Sequence, residues 1–329
     1  VKPPVDLGIP LPTPVQPLDR LASALGLEPG RLLVKRDDLT GLAGGGNKAR
    51  KLAYLCADAL DGGADVLVTG GGSQSNHVRM TAAAANRLGI GCVAVLGGSP
   101  PSPGDLPEGN LLLDRLLGAE LHWPGRVGFD ALEDAVEAEA TRLAREGRRP
   151  YAIPLGGAST VGALGYVAAA DELRDQVPDL GLVVVASGTG GMHAGLVAGL
   201  GSHELVLGVD VGARADLARF VATKATEVAA MAGRHVPSGQ VRLDRDRIGD
   251  GYGAPTASGR EALSLCAWLE GLVLDPVYTA KAMAGLIAAI RAGEVPDGTV
   301  VFVHSGGLPG LLVASRYAAW VCGTDDATG

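Results

Sequence analysis

Aromatic residues are scarce in this chain, with three Phe, six Tyr and three Trp among 329 residues. A tyrosine set in a glycine-rich loop therefore stands out as a pocket candidate. Lysine and arginine form no long run, and the formal net charge is −8. That argues against a nucleic-acid or anionic-membrane surface, because both need a basic patch to displace counterions. The four cysteines (Cys56, Cys92, Cys266, Cys322) lie far apart, without metal-type spacing, and read as buried thiols in a reducing compartment. His122, His203 and His235 show no metal spacing either, so no metal is expected. Long apolar runs are missing as well. The most apolar window, 182-LVVVASGTGGMHAGLVAGLG-201, is broken by Ser187, Thr189, His193 and six glycines, and fits a buried strand-turn-helix better than a membrane span. The first residues, 1-VKPPVDLGIPLPTP-14, are proline-punctuated and hold no apolar core of signal-peptide length, so a cytoplasmic protein is expected.

What the chain does have is alternation. Short Val/Leu runs at 31–35, 65–69, 91–95, 119–123, 182–187, 204–209 and 299–305 read as strands buried on both faces. Amphipathic segments near 48–62, 75–88, 108–117, 129–147, 160–174, 190–200, 213–232, 256–268 and 278–292 read as helices. This β-α order predicts an α/β protein of open, mostly parallel sheets flanked by helices. The length suits one large or two modest domains. The proline-rich 97-GGSPPSPGDLPEGN-110 reads as an exposed loop, 154-PLGGAST-160 as a hinge, and 323-GTDDATG-329 as a short polar tail.

Four regions carry candidate chemistry. In 41-GLAGGGNKARKL-52, a glycine hinge precedes Lys48, and Leu52, Leu55, Cys56 and Ala59 follow on one helix face. That phasing turns Lys48 toward the buried stripe, with Arg50 pointing away and Lys51 to the side. The helix start, the two neighbouring cations and partial burial would all lower its pKa. A neutral amine in a cleft is what imine chemistry needs; a surface lysine beside a flexible turn is the alternative at this point. In 69-TGGGSQSNHVRM-80, Ser75 or Asn76 begins a helix, as an ordinary N-cap or as an anion site for a substrate carboxylate. The loop 187-SGTGGMHAGL-196 has the layout of a phosphate cradle. It is neither a Walker loop nor a dinucleotide fingerprint, whose third glycine is here His193. The fourth region joins Tyr252, Tyr278 and Ser305 at loops and strand ends, with His304 supporting the sheet end. No Ser-His-Asp order or paired carboxylate stands out, and Asp37 and Asp38 are expected to shape the loop ahead of Lys48.

Taken together, 35-KRDDLTGLAGGGNKARKL-52, 73-SQSNHVRMTAA-83, 187-SGTGGMHAGL-196, 275-DPVYTAKAM-283 and 303-VHSGG-307 resemble the D-cysteine desulfhydrase and 1-aminocyclopropane-1-carboxylate (ACC) deaminase family. These are pyridoxal-phosphate (PLP) enzymes of the tryptophan-synthase-β-like fold, fold type II. The resemblance implies a larger PLP-binding domain from 1–50 and 155–329, with 51–154 as a smaller inserted α/β domain. It also implies a homodimer. By the same resemblance Lys48 would bind PLP covalently, and the glycines before it would give backbone clearance for the cofactor ring. Asn76 would meet the phenolic oxygen, and Ser187, Gly188, Thr189, Gly190 and Gly191 would hold the phosphate. Thr279 and Ser305 would be a hydroxyl pair at the pyridine nitrogen. The substrate would meet Ser75, Asn76, His77 and Gly157, with Tyr252 and Tyr278 as acid/base or leaving-group contacts.

Thr279 and Ser305 stand where the deaminases resemble one another in having Glu and Leu. A hydroxyl beside the ring nitrogen makes a weaker electron sink than a carboxylate does. That suffices for β-elimination of a good leaving group and disfavours opening a cyclopropane. The expectation is a PLP-dependent lyase taking D-cysteine to pyruvate, ammonia and hydrogen sulfide, with Lys48 removing the Cα proton. The alternatives are an L-cysteate sulfo-lyase, a specialised biosynthetic C–S lyase, the less favoured ACC deaminase and a non-catalytic amino-acid- or phosphate-binding protein.

Overall fold

Two sheets organise the chain, in a computed structural model that describes residues 2–323. The polar stretch at the C-terminus lies, from residue 324 on, outside the described residues. The first sheet has six strands, in the order β1 (Val15–Pro17), β2 (Leu32–Lys35), β10 (Thr299–Val303), β7 (Leu180–Ser187), β8 (Val206–Asp210) and β9 (Arg242–Asp244). Only β1 runs antiparallel. The second sheet is fully parallel, in the order β5 (Glu120–His122), β4 (Gly91–Gly97), β3 (Val66–Gly72) and β6 (Pro150–Ala152).

The helices expected from periodicity form within a few residues of their predicted limits. They are α2 (Lys48–Asp61), α3 (Asn76–Leu88), α4 (Gly109–Leu116), α5 (Phe129–Arg145), α6 (Thr160–Gln176), α7 (Gly191–Leu200), α8 (Leu217–Met231), α9 (Ala257–Glu270) and α10 (Thr279–Arg291). Unforeseen are α1 (Asp19–Ala24), α11 (Leu308–Leu311) and α12 (Ala314–Cys322), and also β1, β6 and β9. Those three strands have three residues each, occupy sheet edges and include proline or charged residues, so they lack the apolar run that marks a buried strand. Strand β3 continues through Gly70, Gly71 and Gly72, which had been read as loop. Central strands β7 and β10 bury nearly every side chain, in keeping with helices on both faces. Among the described residues, no helix is long and apolar enough to cross a membrane.

One expectation fails instructively. Arg50, predicted to point away from the core, is 2% exposed. Its side of α2 faces α6 and not solvent. Gly165 makes that contact close, since a Cβ there would lie 2.4 Å from Arg50 O. In the crevice the guanidinium spans two carboxylates. Nε and Nη2 donate to Asp37 at 3.0 Å, and Nη1 and Nη2 donate to Glu172 at 2.8 Å. Asp37 also accepts from Thr13 Oγ1 at 2.8 Å and Tyr166 OH at 2.6 Å, while Lys35 Nζ donates to Glu172 at 2.7 Å. Asp37 thus shapes the loop ahead of Lys48, as expected.

Burial pushes the Asp37 carboxyl up, but the Arg50 charge and the hydrogen bonds from Arg50, Tyr166 and Thr13 bring it below its ordinary value. Glu172 is lowered likewise by Arg50 and Lys35 against its own burial. Groups depressed in the folded state stabilise it fully above the unfolded carboxylate range of about 4, and lose that contribution as pH falls through the lower folded values. Replacing Asp37 by Ala, which leaves one face of a buried guanidinium unpaired, is expected to cost about 3–5 kcal/mol in urea unfolding at pH 7. It should also flatten the acid limb of the stability profile. A loss below about 1 kcal/mol, the range of an exposed pair, would contradict this.

Candidate active site

The C-terminal ends of both sheets open on one cavity of about 410 Å³, where open α/β sheets place their ligands. Gly70, Gly71 and Gly72 of β3 and Gly97 of β4 line one side; Ala186 of β7 and Ser305, just past β10, line the other. Five helices begin at its wall, marked by Lys48 of α2, Asn76 of α3, Phe129 of α5, Gly191 of α7 and the N-cap Tyr278 of α10. A helix start leaves N–H groups without in-helix acceptors and carries partial positive charge, so the wall suits anions.

Lys48 faces this cavity, and burial lowers its ammonium to about 8. Arg50, held between Asp37 and Glu172, contributes little to that shift. The nearer cation is Lys51, which sequence phasing had set to one side. It is 1% exposed, and its Nζ donates to Gly156 O at 3.0 Å. A Cβ built on Gly191 would lie 2.8 Å from Lys51 Nζ, so this amine rests against the first turn of α7. The signal available in the sequence was the i, i+3 spacing of the two lysines on one helix. Lys51 is held well below its ordinary value by burial and then by Lys48.

The glycines ahead of Lys48 serve neighbouring backbone. A Cβ on Gly45 would fall 1.9 Å from Asp38 O; one on Gly46 would fall 3.1 Å from Ser305 O, and Asn47 N donates to Ser305 O at 3.0 Å. Clearance here lets the loop stack on residues 305–306. Gly71 acts in the same way for Ser75, whose Oγ would be 2.5 Å from a Cβ at 71. Ser75 caps α3 by accepting from Val78 N at 3.3 Å, which leaves its O–H free to donate.

Eleven of the expected residues share the cavity wall: Lys48, Ser75, Asn76, His77, Gly188, Thr189, Gly190, Gly191, Tyr252, Tyr278 and Ser305. The His77 ring is fixed from behind. Thr69 Oγ1 donates to Ile153 O at 3.0 Å and so accepts from His77 Nε2 at 3.0 Å, which keeps the proton on Nε2. Burial, with Lys48 and Lys51 nearby, holds His77 neutral. The Tyr252 and Tyr278 hydroxyls meet in a very short hydrogen bond, their rings edge to face at 6.2 Å. Burial raises the Tyr278 phenol well above its ordinary value; Tyr252, raised less, still has 52% of its surface exposed.

Three expected residues stand off the wall. Ser187 is buried with its Oγ 3.3 Å from His193 Nδ1. Gly157 is packed behind Leu55, His77 and the stem of Lys51. Thr279 donates its hydroxyl proton to Asp275 Oδ1 at 2.7 Å and accepts from Asp275 N at 2.7 Å, so it ties down the start of α10 beside Tyr278. His304 does support the sheet end, through Val273 O at 3.0 Å. Asn47 and Phe129 line the cavity without having been foreseen; Phe129 lies beyond the proline-rich loop, beneath the Arg214 guanidinium at 4.9 Å. Among the described residues, no group of three or more His, Cys, Asp or Glu could hold a metal ion.

Comparison with known proteins agrees with this geometry. The family model described as "Pyridoxal-phosphate dependent enzyme" matches residues 8–306. D-cysteine desulfhydrases of Salmonella newport and Salmonella typhimurium are each 44% identical over 322 residues, covering 92% of this chain and 93% of the relative. The crystal structure of an ACC deaminase homologue superposes with a TM-score of 0.88 at 38% identity, covering 98% of this chain and 96% of that one. A processed threonine deaminase isoform from Solanum lycopersicum shares the fold, with a TM-score of 0.66 at 15% identity over 97% of this chain and 85% of its own. With the match spanning both sheets and all five helix starts at the cavity, the chain belongs to the pyridoxal-phosphate-dependent enzyme family.

Proposed function

We propose that this chain catalyses PLP-dependent β-elimination from a β-substituted alanine, taking D-cysteine to pyruvate, ammonia and hydrogen sulfide. One observation carries the reading: a lysine made partly neutral by burial shares a single cavity with a bare helix start and a joined pair of tyrosine hydroxyls. The Salmonella relatives named D-cysteine desulfhydrase support the choice of substrate.

The residues fit the cofactor. A Cβ on Gly190 would lie 2.8 Å from Phe220, and one on Gly191 would reach Lys51, so the start of α7 stays bare and its N–H groups can meet a phosphate. Thr189 and Lys51 would complete that cradle. Lys48 would hold the cofactor covalently through Nζ, Asn76 would face its phenolic oxygen and Ser305 its ring nitrogen. When bound, PLP supplies a sink for the electron pair left at Cα. Among the described residues, no Asp or Glu lines the cavity. A hydroxyl at the ring nitrogen favours a reaction in which the leaving group departs readily, and disfavours ACC.

The chain's own groups do the rest. The substrate carboxylate docks on the Ser75 hydroxyl and on the N–H groups of Asn76 and His77, the first two in α3. Freed once the substrate amine takes its place on the cofactor, Lys48 Nζ would take the Cα proton, a general-base role worth about 10²–10⁴-fold. Both phenols stay protonated at neutral pH. With one hydroxyl donating to the other, the pair keeps a proton to hand to the departing sulfur. We further take residues 51–154 as the smaller domain and 1–50 with 155–329 as the larger. A homodimer is supported by neighbouring exposed leucines, Leu112 and Leu116 on α4 and Leu308 and the C-cap Leu312 of α11, and a cytoplasmic location by the four free cysteines.

Pyruvate release from D-cysteine, L-cysteine, L-cysteate and ACC tests the function: D-cysteine should lead, and preferred turnover of ACC or L-cysteate would overturn it. Tyr278→Phe should lower kcat for D-cysteine by about 10²-fold or more, yet largely spare β-chloro-D-alanine, whose chloride leaves without a proton. Equal losses on both substrates would rule out the leaving-group role. In the apo protein, acylation of Lys48 followed by mass spectrometry should titrate with a midpoint near about 8. A midpoint at the ordinary lysine value of about 10.4 would show that burial does not tune it.

A further inference from the structure

Arg79 lies one turn beyond Asn76 on α3, fully buried and off the cavity wall. Its Nη1 donates to Asn76 Oδ1 at 2.8 Å and also to Asn110 Oδ1, and its Nη2 donates to Gly45 O at 2.9 Å. Asn110 Nδ2 adds a second donor to Asn76 Oδ1 at 3.1 Å and donates to Gln74 O at 2.9 Å. A guanidinium has N–H donors and no acceptor, so each amide in contact with it must present its oxygen. The orientation of Asn76 is thereby settled. Its oxygen is occupied by Arg79 and Asn110, and its NH2, which meets no acceptor among the described residues, is the polar group left for the cavity that Asn76 lines. A ligand atom opposite Asn76 must then be a hydrogen-bond acceptor. Beside its aldehyde, PLP carries one, the phenolic oxygen.

The same guanidinium fixes the position of the donor. Gly45 belongs to the loop that enters α2, three residues before Lys48, so one planar group ties the Asn76 amide to the segment carrying the proposed covalent anchor. Arginine suits this task because its donors diverge in a rigid fork, whereas a lysine offers a single point of charge. Burial lowers Arg79 only to about 10, against the opposing pull of Asp114, so it remains a cation at neutral pH.

We propose that Arg79 is a positioning residue for cofactor binding: through Asn76 it sets the amide so that the NH2 donates to the phenolic oxygen of PLP, and through Gly45 it holds that donor in register with Lys48. The inference rests on the reading that PLP occupies this cavity.

A double-mutant cycle tests it, with N76A, R79Q and the pair prepared as apo proteins and titrated with PLP. Dissociation constant and visible absorption maximum are read, and circular dichroism checks the fold. N76A and R79Q should each weaken PLP binding roughly tenfold, the loss of about one hydrogen bond to a charged acceptor, and should shift the absorption maximum in the same direction. Added to N76A, R79Q should cost less than about a further twofold, since a residue acting through another loses its effect when that one is gone. An undiminished loss from R79Q in the N76A background would overturn the proposal in favour of a purely structural role. So would an R79Q protein with unchanged affinity and spectrum. Should R79Q fail to fold, R79K carries the same cycle and the same outcomes decide. Failure of the unsubstituted chain to take up PLP at all would instead sink the cofactor reading beneath the inference.

Discussion

The grip of Asp37 and Glu172 on the Arg50 guanidinium is the interaction on which the rest of the site depends. It joins the turn after β2, the first turn of α2 and the body of α6, with Arg50 and Asp37 fully buried and Glu172 partly so. A guanidinium in that position is costly unless both its faces are paired, so the pairing fixes where α2 starts. Lys48 lies two residues earlier and inherits that position. The glycines between act as close-packing residues. Gly45 fits against Asp38 O, Gly46 against Ser305 O, and Gly306 against Gly46 Cα at 2.8 Å from where its Cβ would be. The glycine run ahead of the lysine is a rigid stack between two loops.

With Arg50 neutralised, the electrostatics of the cavity come from groups stripped of water. Burial depresses the ammonium of Lys48, that of Lys51 and the imidazolium of His77. Among the described residues, no carboxylate lines the cavity to offset them. Bare helix starts point inward beside these groups. Such a wall is poised to receive negative charge, and an incoming phosphate or carboxylate would restore the cationic form of the lysine it touches. The same low-dielectric setting raises the phenol of Tyr278. Donors and acceptors of protons are thus tuned by one physical cause acting with opposite sign on bases and acids.

Much of this was legible in the sequence, for identifiable reasons. Buried parallel strands announce themselves as Val-rich runs and their covering helices as amphipathic stretches, so the α/β order could be read directly. The short edge strands were invisible because they bury little. Lys48 was found because an i, i+4, i+7 stripe sets its direction. Arg50 was misjudged for the same reason: a helix pressed between two layers buries both faces, and a single stripe cannot reveal the second layer. Thr279 was assigned to the ring nitrogen on resemblance, whereas its one hydroxyl proton goes to Asp275, four residues back on the same helix start. The role of Arg79 was beyond reach, since it depends on Asn76, Asn110 and Gly45 meeting in space.

The central claim is that packing behind α2 makes Lys48, and not its buried neighbour Lys51, the lysine that holds PLP. Reduction of the PLP-loaded protein with borohydride, followed by peptide mapping, measures this directly. The account predicts a single pyridoxyl adduct on Lys48. An adduct on Lys51, or none on either lysine, would contradict it.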